Sequence, residues 1–324
     1  MKTIDETQVK AFLNMENVIE VVNNLYLECS AGQIYAGNRI YMPIRGEENV
    51  GQWLVANSLN QPFFGSKFSS VFPNNVTMGL LSTISKISLY SAKTGELQAL
   101  IDANYLTAIK TGASAAVATD LMARKDASVL SIIGTGLQAF SQVLAIQEVR
   151  KLEKVYVYDV VPERIEQFIS LLEKEKSHDY PIVAAASGDE CAEQAHIICT
   201  CTTAKAPVFS GRKLKPGTHV NAIGSFTPFM QEIDEDTVLK ASKILTEHVD
   251  GLWEAAGDIL IPFNEGKITK EDVTGSIGDA LTKKVSARDN DNEITLYESV
   301  GSGVLDIGLS IYVYQSLYEE EKGN

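Results

Sequence analysis

Cysteine is scarce in this 324-residue chain, with four residues at Cys29, Cys191, Cys199 and Cys201. They form no C-x-x-C pair, and the four histidines form no H-E-x-x-H pattern, so no zinc site or other protein metal site is indicated. Cys199 and Cys201 alternate along an apolar strand and read as packing thiols. Positive charge is also short: 28 Lys and Arg against 42 Asp and Glu leave a formal charge of −14. Phosphate-rich polymers are held by clustered cations, so a nucleic-acid partner is not expected. No segment reaches the roughly 18 to 20 apolar residues of a membrane span, and the start, Met1 to Asp5, lacks a secretory signal pattern; a cytoplasmic location without membrane association is expected.

What remains is the composition of a globular protein, 45% hydrophobic and 22% charged, with length for two domains. Asn14 or Glu16 can open a helix carrying Val18, Val21, Val22 and Leu25 at helical spacing, with Gly32 as its stop. A β-rich stretch follows: "QWLVANSL", "FGSKFSSVFPNN" and "STISKISLYSAKTGELQALID", the last turning at Lys93-Thr94-Gly95. This predicts a mostly antiparallel unit. From about Ala118 the pattern becomes strand, helix, strand, helix: "SVLSII", helix 137–149, "KVYVYD", helix 162–174, "PIVAA", short helix 189–195, then "HIICTCT" and "THVNAIG". Such alternation with short connections predicts a doubly wound parallel sheet. The terminal stretch from Gly301 to Tyr318 has apolar residues at helical spacing and is expected to return to the first domain. The expected division is 1–117 plus 302–324 for one domain and 118–301 for the other.

The segment "SIIGTGLQAF" raises the chemistry. Gly134, Gly136 and Ala139 fit G-x-G-x-x-A between a strand and a helix: a glycine for the turn, a glycine for close approach of a pyrophosphate, and a small residue for helix packing. The N–H groups of the helix start, around Thr135, Leu137 and Gln138, can hold an anion. The next strand ends at Asp159, whose carboxylate suits ribose hydroxyls and repels a 2′-phosphate; Arg164 lies further on and reads as a solvated helix residue. The expected cofactor is therefore NAD(H) rather than NADP(H). Thr200, Cys201 and Thr202, after the fourth strand of this unit, fall where such sheets line their crevice.

"LTAIKTGASAAVAT", "IIGTGLQA", "KPGTHVNAIGSFTP", "AAGDILIP" and "EITLYESVGSGVLD" together resemble the ornithine cyclodeaminase and mu-crystallin family, in order from Asn14 to Tyr318. The family includes archaeal-type alanine dehydrogenases and imino-acid reductases. The resemblance implies a homodimer with a Rossmann domain inserted into an α+β domain that binds substrate and makes the dimer contact. It also implies that Arg45 in "MPIR" grips a substrate carboxylate, which a guanidinium fork suits. Lys67 in "FGSKFSSVFPNN" resembles the pocket lysine; its aromatic surroundings would strip its solvation and lower its pKa, so that it can trade a proton near neutrality or stay charged against a substrate carboxylate. Lys110 stands where the family has arginine in "T-A-x-R-T-G-A", keeping the charge and losing the fork. Thr111 is implied at the cofactor phosphates, and Ser299 with Gly301 beside the nicotinamide. Asp306 matches an acidic family position and is expected to make only a structural hydrogen bond.

Phe226 departs from the pattern. Cyclodeaminases and archaeal alanine dehydrogenases carry an aspartate there, and phenylalanine can neither take a proton nor hold an ammonium group. The expectation is an NADH-dependent reductase of a small cyclic α-imino acid, Δ1-pyrroline-2-carboxylate or its six-membered homologue, with Lys67 as the catalytic group. Ornithine cyclodeamination, alanine-type dehydrogenation and a non-catalytic ligand carrier are the alternatives.

Overall fold

The structure, a computed structural model, describes residues 1–45 and 49–318, without the side chain of Val76. Residues 319–324, the end of the segment expected to rejoin the first domain, lie outside the described residues. The chain divides into two compact units, one running from Met1 to Lys110 and resuming at Ser302, the other spanning Thr111–Gly301. The second is therefore an insertion in the first.

The first unit contains β1 (Lys2–Ile4), α1 (Glu6–Phe12), α2 (Met15–Ser30), β2 (Ile34–Ala36), β3 (Ile40–Pro43), β4 (Val50–Ser58), β5 (Phe63–Val71), β6 (Thr83–Ser91) and β7 (Leu97–Asp102). Helix α2 begins where the Asn14 side chain accepts the Asn17 N–H at 2.8 Å, and it buries Val18, Val22 and Leu25. The sheet order is β1-β7-β6-β5-β4-β2, with β3 also on β4; every pair is antiparallel except β1 with β7. Alternation on β5 buries Phe63, Gly65, Lys67 and Ser69 on one face. The last helix, here numbered in chain order as α11 (Gly303–Tyr318), covers that face, with Tyr314 against Phe63 at 5.0 Å between ring centroids.

Helix α3 (Asn104–Met122) carries the division between units, at 110/111 instead of the expected 117/118. One unbroken helix has no sequence punctuation at which to place that boundary. The second unit then runs β8 (Val129–Ile133), α4 (Leu137–Val149), β9 (Lys154–Tyr158), α5 (Pro162–Leu172), β10 (Ile182–Ala184), α6 (Gly188–Gln194), β11 (Ile197–Thr200), β12 (His219–Ala222), α7 (Glu235–Lys240), β13 (Ala241–Thr246), α8 (Val249–Ala255), α9 (Gly257–Asn264), β14 (Gly275–Ser276), α10 (Ile277–Leu281) and β15 (Ile294–Glu298). All its strands are parallel, in the order β10-β9-β8-β11-β12-β15-β13-β14. The order reverses between β8 and β11, so the carboxyl ends of those strands open a crevice typical of doubly wound sheets. The fold is a Rossmann doubly wound sheet inserted into an α+β unit. Strand β15, unforeseen from the sequence, inserts between β12 and β13. No described helix is long and apolar enough to cross a membrane.

Candidate active site

The first unit buries three charged side chains together. Lys67 on β5 has its Nζ 2.6 Å from Oδ2 of Asp306 on α11, and Lys110 on α3 has its Nζ 3.3 Å from the other oxygen, Oδ1. Their side chains are 7%, 0% and 1% exposed in the order Lys67, Asp306, Lys110. The Lys67 amine is lowered to about 8: burial pulls it down most, Asp306 offsets part of that, and Lys110 and Arg39 push it further down. Burial alone would raise the Asp306 carboxyl, but the two ammonium groups outweigh it and hold the group below its ordinary range. Asp306 is therefore an ionic bridge between two lysines rather than the simple structural hydrogen bond expected of it.

Arg45 is exposed just beyond β3, with a positive φ of 45°. It stands outside the buried triad. The arginine felt by Lys67 is Arg39, partly buried between β2 and β3 and donating to the Tyr41 hydroxyl at 3.1 Å. Sequence reasoning passed over Arg39, and its only signal there was proximity to "MPIR".

In the second unit, Gly134 leaves β8 with φ +92°, and a Cβ there would lie 2.7 Å from the Cys201 carbonyl oxygen. A side chain is excluded by conformation and by space. Gly136 differs: it caps α4 at an ordinary φ of −78°, and a Cβ there would meet no protein atom within 4 Å. Packing does not demand this glycine. No side chain caps α4, so its first N–H groups face that open space, and Leu137 at its first position is exposed. Ala139 is fully buried against the sheet.

Asp159 lies one residue beyond the end of β9 instead of ending it, and its carboxylate also holds the glycine loop: Oδ2 accepts the Thr135 N–H at 2.9 Å and hydroxyl at 2.8 Å, and Oδ1 accepts the Val161 N–H at 3.0 Å. Carboxylate oxygens have further lone pairs for a ribose. Val160, which follows, is 82% exposed and brings no cation.

Two buried carboxylates, neither foreseen, organise the remaining loops. Glu232 accepts from the Thr200 hydroxyl at 2.8 Å, the Thr202 N–H at 2.5 Å and the Gly224 N–H at 2.6 Å, joining the segments after β11 and β12. Glu247 accepts from the Ser299 hydroxyl at 2.7 Å and the Gly301 N–H at 2.9 Å, fixing the turn after β15. Thus Thr200, Thr202, Ser299 and Gly301 are each held from behind by an acid. Cys201 is tied through its N–H to the Ile133 carbonyl at 2.8 Å, and burial raises its thiol well above the usual range. Thr111 is buried near the start of this unit, and Phe226 is half-buried in the loop after β12.

Two more acids lie nearby. Asp258 accepts the Glu232 and Ile233 N–H groups at 2.7 and 3.0 Å, and burial followed by the charge of Glu232 lifts it to about 8. Glu298 is fully buried, and burial with the charges of Asp258, Glu232 and Glu247 raises it well above its usual range. Burial thus disfavours the charged form of both. Among the described residues no group of three or more His, Cys, Asp or Glu could hold a metal ion.

The chain is 33% identical over 323 residues to Δ1-pyrroline-2-carboxylate reductase of Bacillus cereus, covering 100% of this chain and 98% of that protein. Its structure is similar to that of Thermococcus litoralis Δ1-pyrroline-2-carboxylate reductase in complex with NADH and L-proline, with a TM-score of 0.94, 30% identity, and coverage of 99% of this chain and 98% of the other. It is also similar to an archaeal alanine dehydrogenase dimer with bound NAD, with a TM-score of 0.92, 26% identity, and coverage of 99% and 97%. The ornithine cyclodeaminase/mu-crystallin family matches residues 1–321, and the chain belongs to it.

Proposed function

We propose that the protein reduces a small cyclic α-imino acid, Δ1-pyrroline-2-carboxylate or its six-membered homologue, to the L-amino acid with NADH. The observation that carries this reading is the buried group of Lys67, Asp306 and Lys110. Two cations and one anion leave one uncompensated positive charge, the complement of a single carboxylate. Full-length likeness to the B. cereus reductase, and to the T. litoralis enzyme holding NADH and L-proline, supports the same substrate class.

The second unit fits a dinucleotide. The open space at Gly136 and the uncapped start of α4 suit a pyrophosphate, with Thr135, Leu137, Gln138 and Thr111 around it. Asp159, followed by Val160 and Val161 rather than a cation, suits the ribose of NAD(H) over a 2′-phosphate. Thr200 to Thr202 and Ser299 to Gly301 serve the nicotinamide half. When bound, NADH supplies hydride to the imine carbon. Lys110, with Arg45, holds the substrate carboxylate, and Lys67 gives its proton to the imine nitrogen and regains one from solvent. An amine near 8 serves both directions of that transfer at neutral pH. Phe226 offers an apolar ring and no base, consistent with a ring-shaped imine and with no second ammonium group. Catalysis is then mainly placement and charge.

A homodimer fits the first unit. The sheet face opposite α11 presents Ile40, Met42, Val55, Phe64 and Ile84, all exposed. Single exposed apolar residues are ordinary, whereas a set on one sheet face suits a partner.

Alanine-type dehydrogenation is the second reading, favoured by likeness to the alanine dehydrogenase. The deciding experiment follows NADH absorbance with Δ1-pyrroline-2-carboxylate, with alanine plus NAD+ and ornithine plus NAD+ in parallel. NADH consumption with the imine is expected. NADH formation from alanine, or ammonia from ornithine without the imine reaction, would overturn the proposal.

A further inference from the structure

The two lysines share one acid, and the charge imbalance has a chemical consequence. Each Asp306 oxygen serves a different amine, at 2.6 and 3.3 Å, and no solvent reaches the carboxylate. The three groups come from β5, α3 and α11, so each position is set by a separate element. Asp102, on β7 beside β6, is engaged elsewhere, paired with Lys86, which points to the opposite sheet face from Lys67. Arg39, a further cation, also acts on Lys67.

We propose that Asp306 is a positioning residue for proton transfer: its single charge keeps the proton on the Lys67 amine against the competing charge of Lys110. The inference rests on the proposed imine reduction, in which imine, NADH and one proton give amine and NAD+, with the proton delivered by the Lys67 ammonium group. Asp306 itself neither takes nor gives that proton. Without it, the Lys67 ammonium group loses its buried counter-charge while the charges of Lys110 and Arg39 still act on it, and its proton is held less firmly. Lys110 has the opposite influence, so removing it strengthens the hold of Asp306 on Lys67.

The two substitutions therefore move one proton in opposite directions. In Asp306→Asn, the alkaline limb of kcat for imine reduction shifts at least one pH unit toward acid. Amino-acid oxidation, which needs the unprotonated amine, gains its activity at correspondingly lower pH. In Lys110→Met the same limbs shift toward alkali, although KM for the carboxylate substrate rises. Asp306→Glu restores the wild-type limb. NMR titration of isotopically labelled lysine in the full-length protein, with Lys67→Met identifying the signal, reads the Lys67 proton directly and independently of any substrate. Shifts of opposite sign in that titration support the assignment. Equal titration in wild type, Asp306→Asn and Lys110→Met, or loss of activity by the same factor at every pH, would reduce Asp306 to a packing role and overturn it. Absence of imine reduction by the wild-type protein would instead defeat the proposed reaction, and the lysine titration would still decide what Asp306 does.

Discussion

Replacing Gly136 by alanine separates the needs of the fold from those of a ligand. The residue has φ −78° and ψ −173°, a backbone that alanine adopts, and its added methyl meets no protein atom within 4 Å. Alanine is a poorer helix cap than glycine by about 0.5–1 kcal/mol, and the less flexible unfolded chain returns about 0.4–1 kcal/mol. The two effects nearly cancel, so Tm stays close to wild type. Binding has no such compensation. The methyl occupies the approach to the first N–H groups of α4, and loss of one charge-assisted hydrogen bond to a phosphate costs roughly 1.5–3 kcal/mol, a rise of about 10- to 150-fold in Kd. Titration of NADH fluorescence, run beside thermal unfolding, measures both quantities. Gly134→Ala is the contrast: with φ +92° and a Cβ only 2.7 Å from the Cys201 carbonyl oxygen, it loses stability as well, by about 1–3 kcal/mol from backbone strain alone. A Gly136→Ala protein that binds NADH as wild type does would place the pyrophosphate elsewhere and refute the assignment of α4.

Glu232→Gln keeps the volume but turns an amide N–H2 toward one of three donors, costing about 1–3 kcal/mol; weaker NADH binding is expected, with a smaller loss in Thr200→Val, and unchanged NADH affinity in both would remove the clamp from the cofactor's site. His219 is fully buried between Thr295 and Asn221 at 2.9 and 3.1 Å, and burial lowers it from 6.5 to about 3. Below pH 6.5 the unfolded chain binds a proton that the folded one refuses, so stability falls as pH drops from 6.5 toward 3, by at most about 1.4 kcal/mol per pH unit from this group; denaturant unfolding at pH 7 and pH 5 should show a flatter slope in His219→Gln, and an equal slope would refute it. L-Proline should raise Tm with the logarithm of its concentration above Kd, by about 2.7 kcal/mol of stability at 100 times Kd, while L-prolinamide, lacking the carboxylate, should not; equal shifts would deny that the triad reads a carboxylate.

The parts legible in the sequence are those with local signatures. Gly134, Gly136 and Ala139 declare a strand-to-helix turn within six residues, and the aromatic neighbours of Lys67 on β5 foretell its burial. Asp306 shows what local reading misses. Its apolar helix identified an element, but its pairing with Lys67 and Lys110 depends on how β5, α3 and α11 come together, and no spacing encodes that. Glu232 and Glu247 were silent for the same reason: an acid in a loop usually faces solvent, and the converging N–H groups of Thr202, Gly224 and Gly301, with the Thr200 and Ser299 hydroxyls, turn these two inward. Strand β15 escaped because its place between β12 and β13 breaks the sequential order that short connections lead one to expect.

The triad is difficult to explain as a device for stability. Burying an ion pair costs several kcal/mol per ion before the mutual attraction is counted, and well-packed apolar residues of similar volume often serve a fold as well or better. Here the balance is less favourable still, since among the described residues two buried cations share one anion. Nor does α11 require the ions in order to dock: Tyr314 meets Phe63, and Ile307 already fills the space above Gly65. An arrangement that is costly to the empty protein and unnecessary to its packing is accounted for by what it meets. In the proposed reaction a substrate carboxylate would add the negative charge that the triad lacks. The same imbalance disfavours a diamino acid, whose second ammonium group would bring another cation to a protein that has Phe226 at the family's aspartate position.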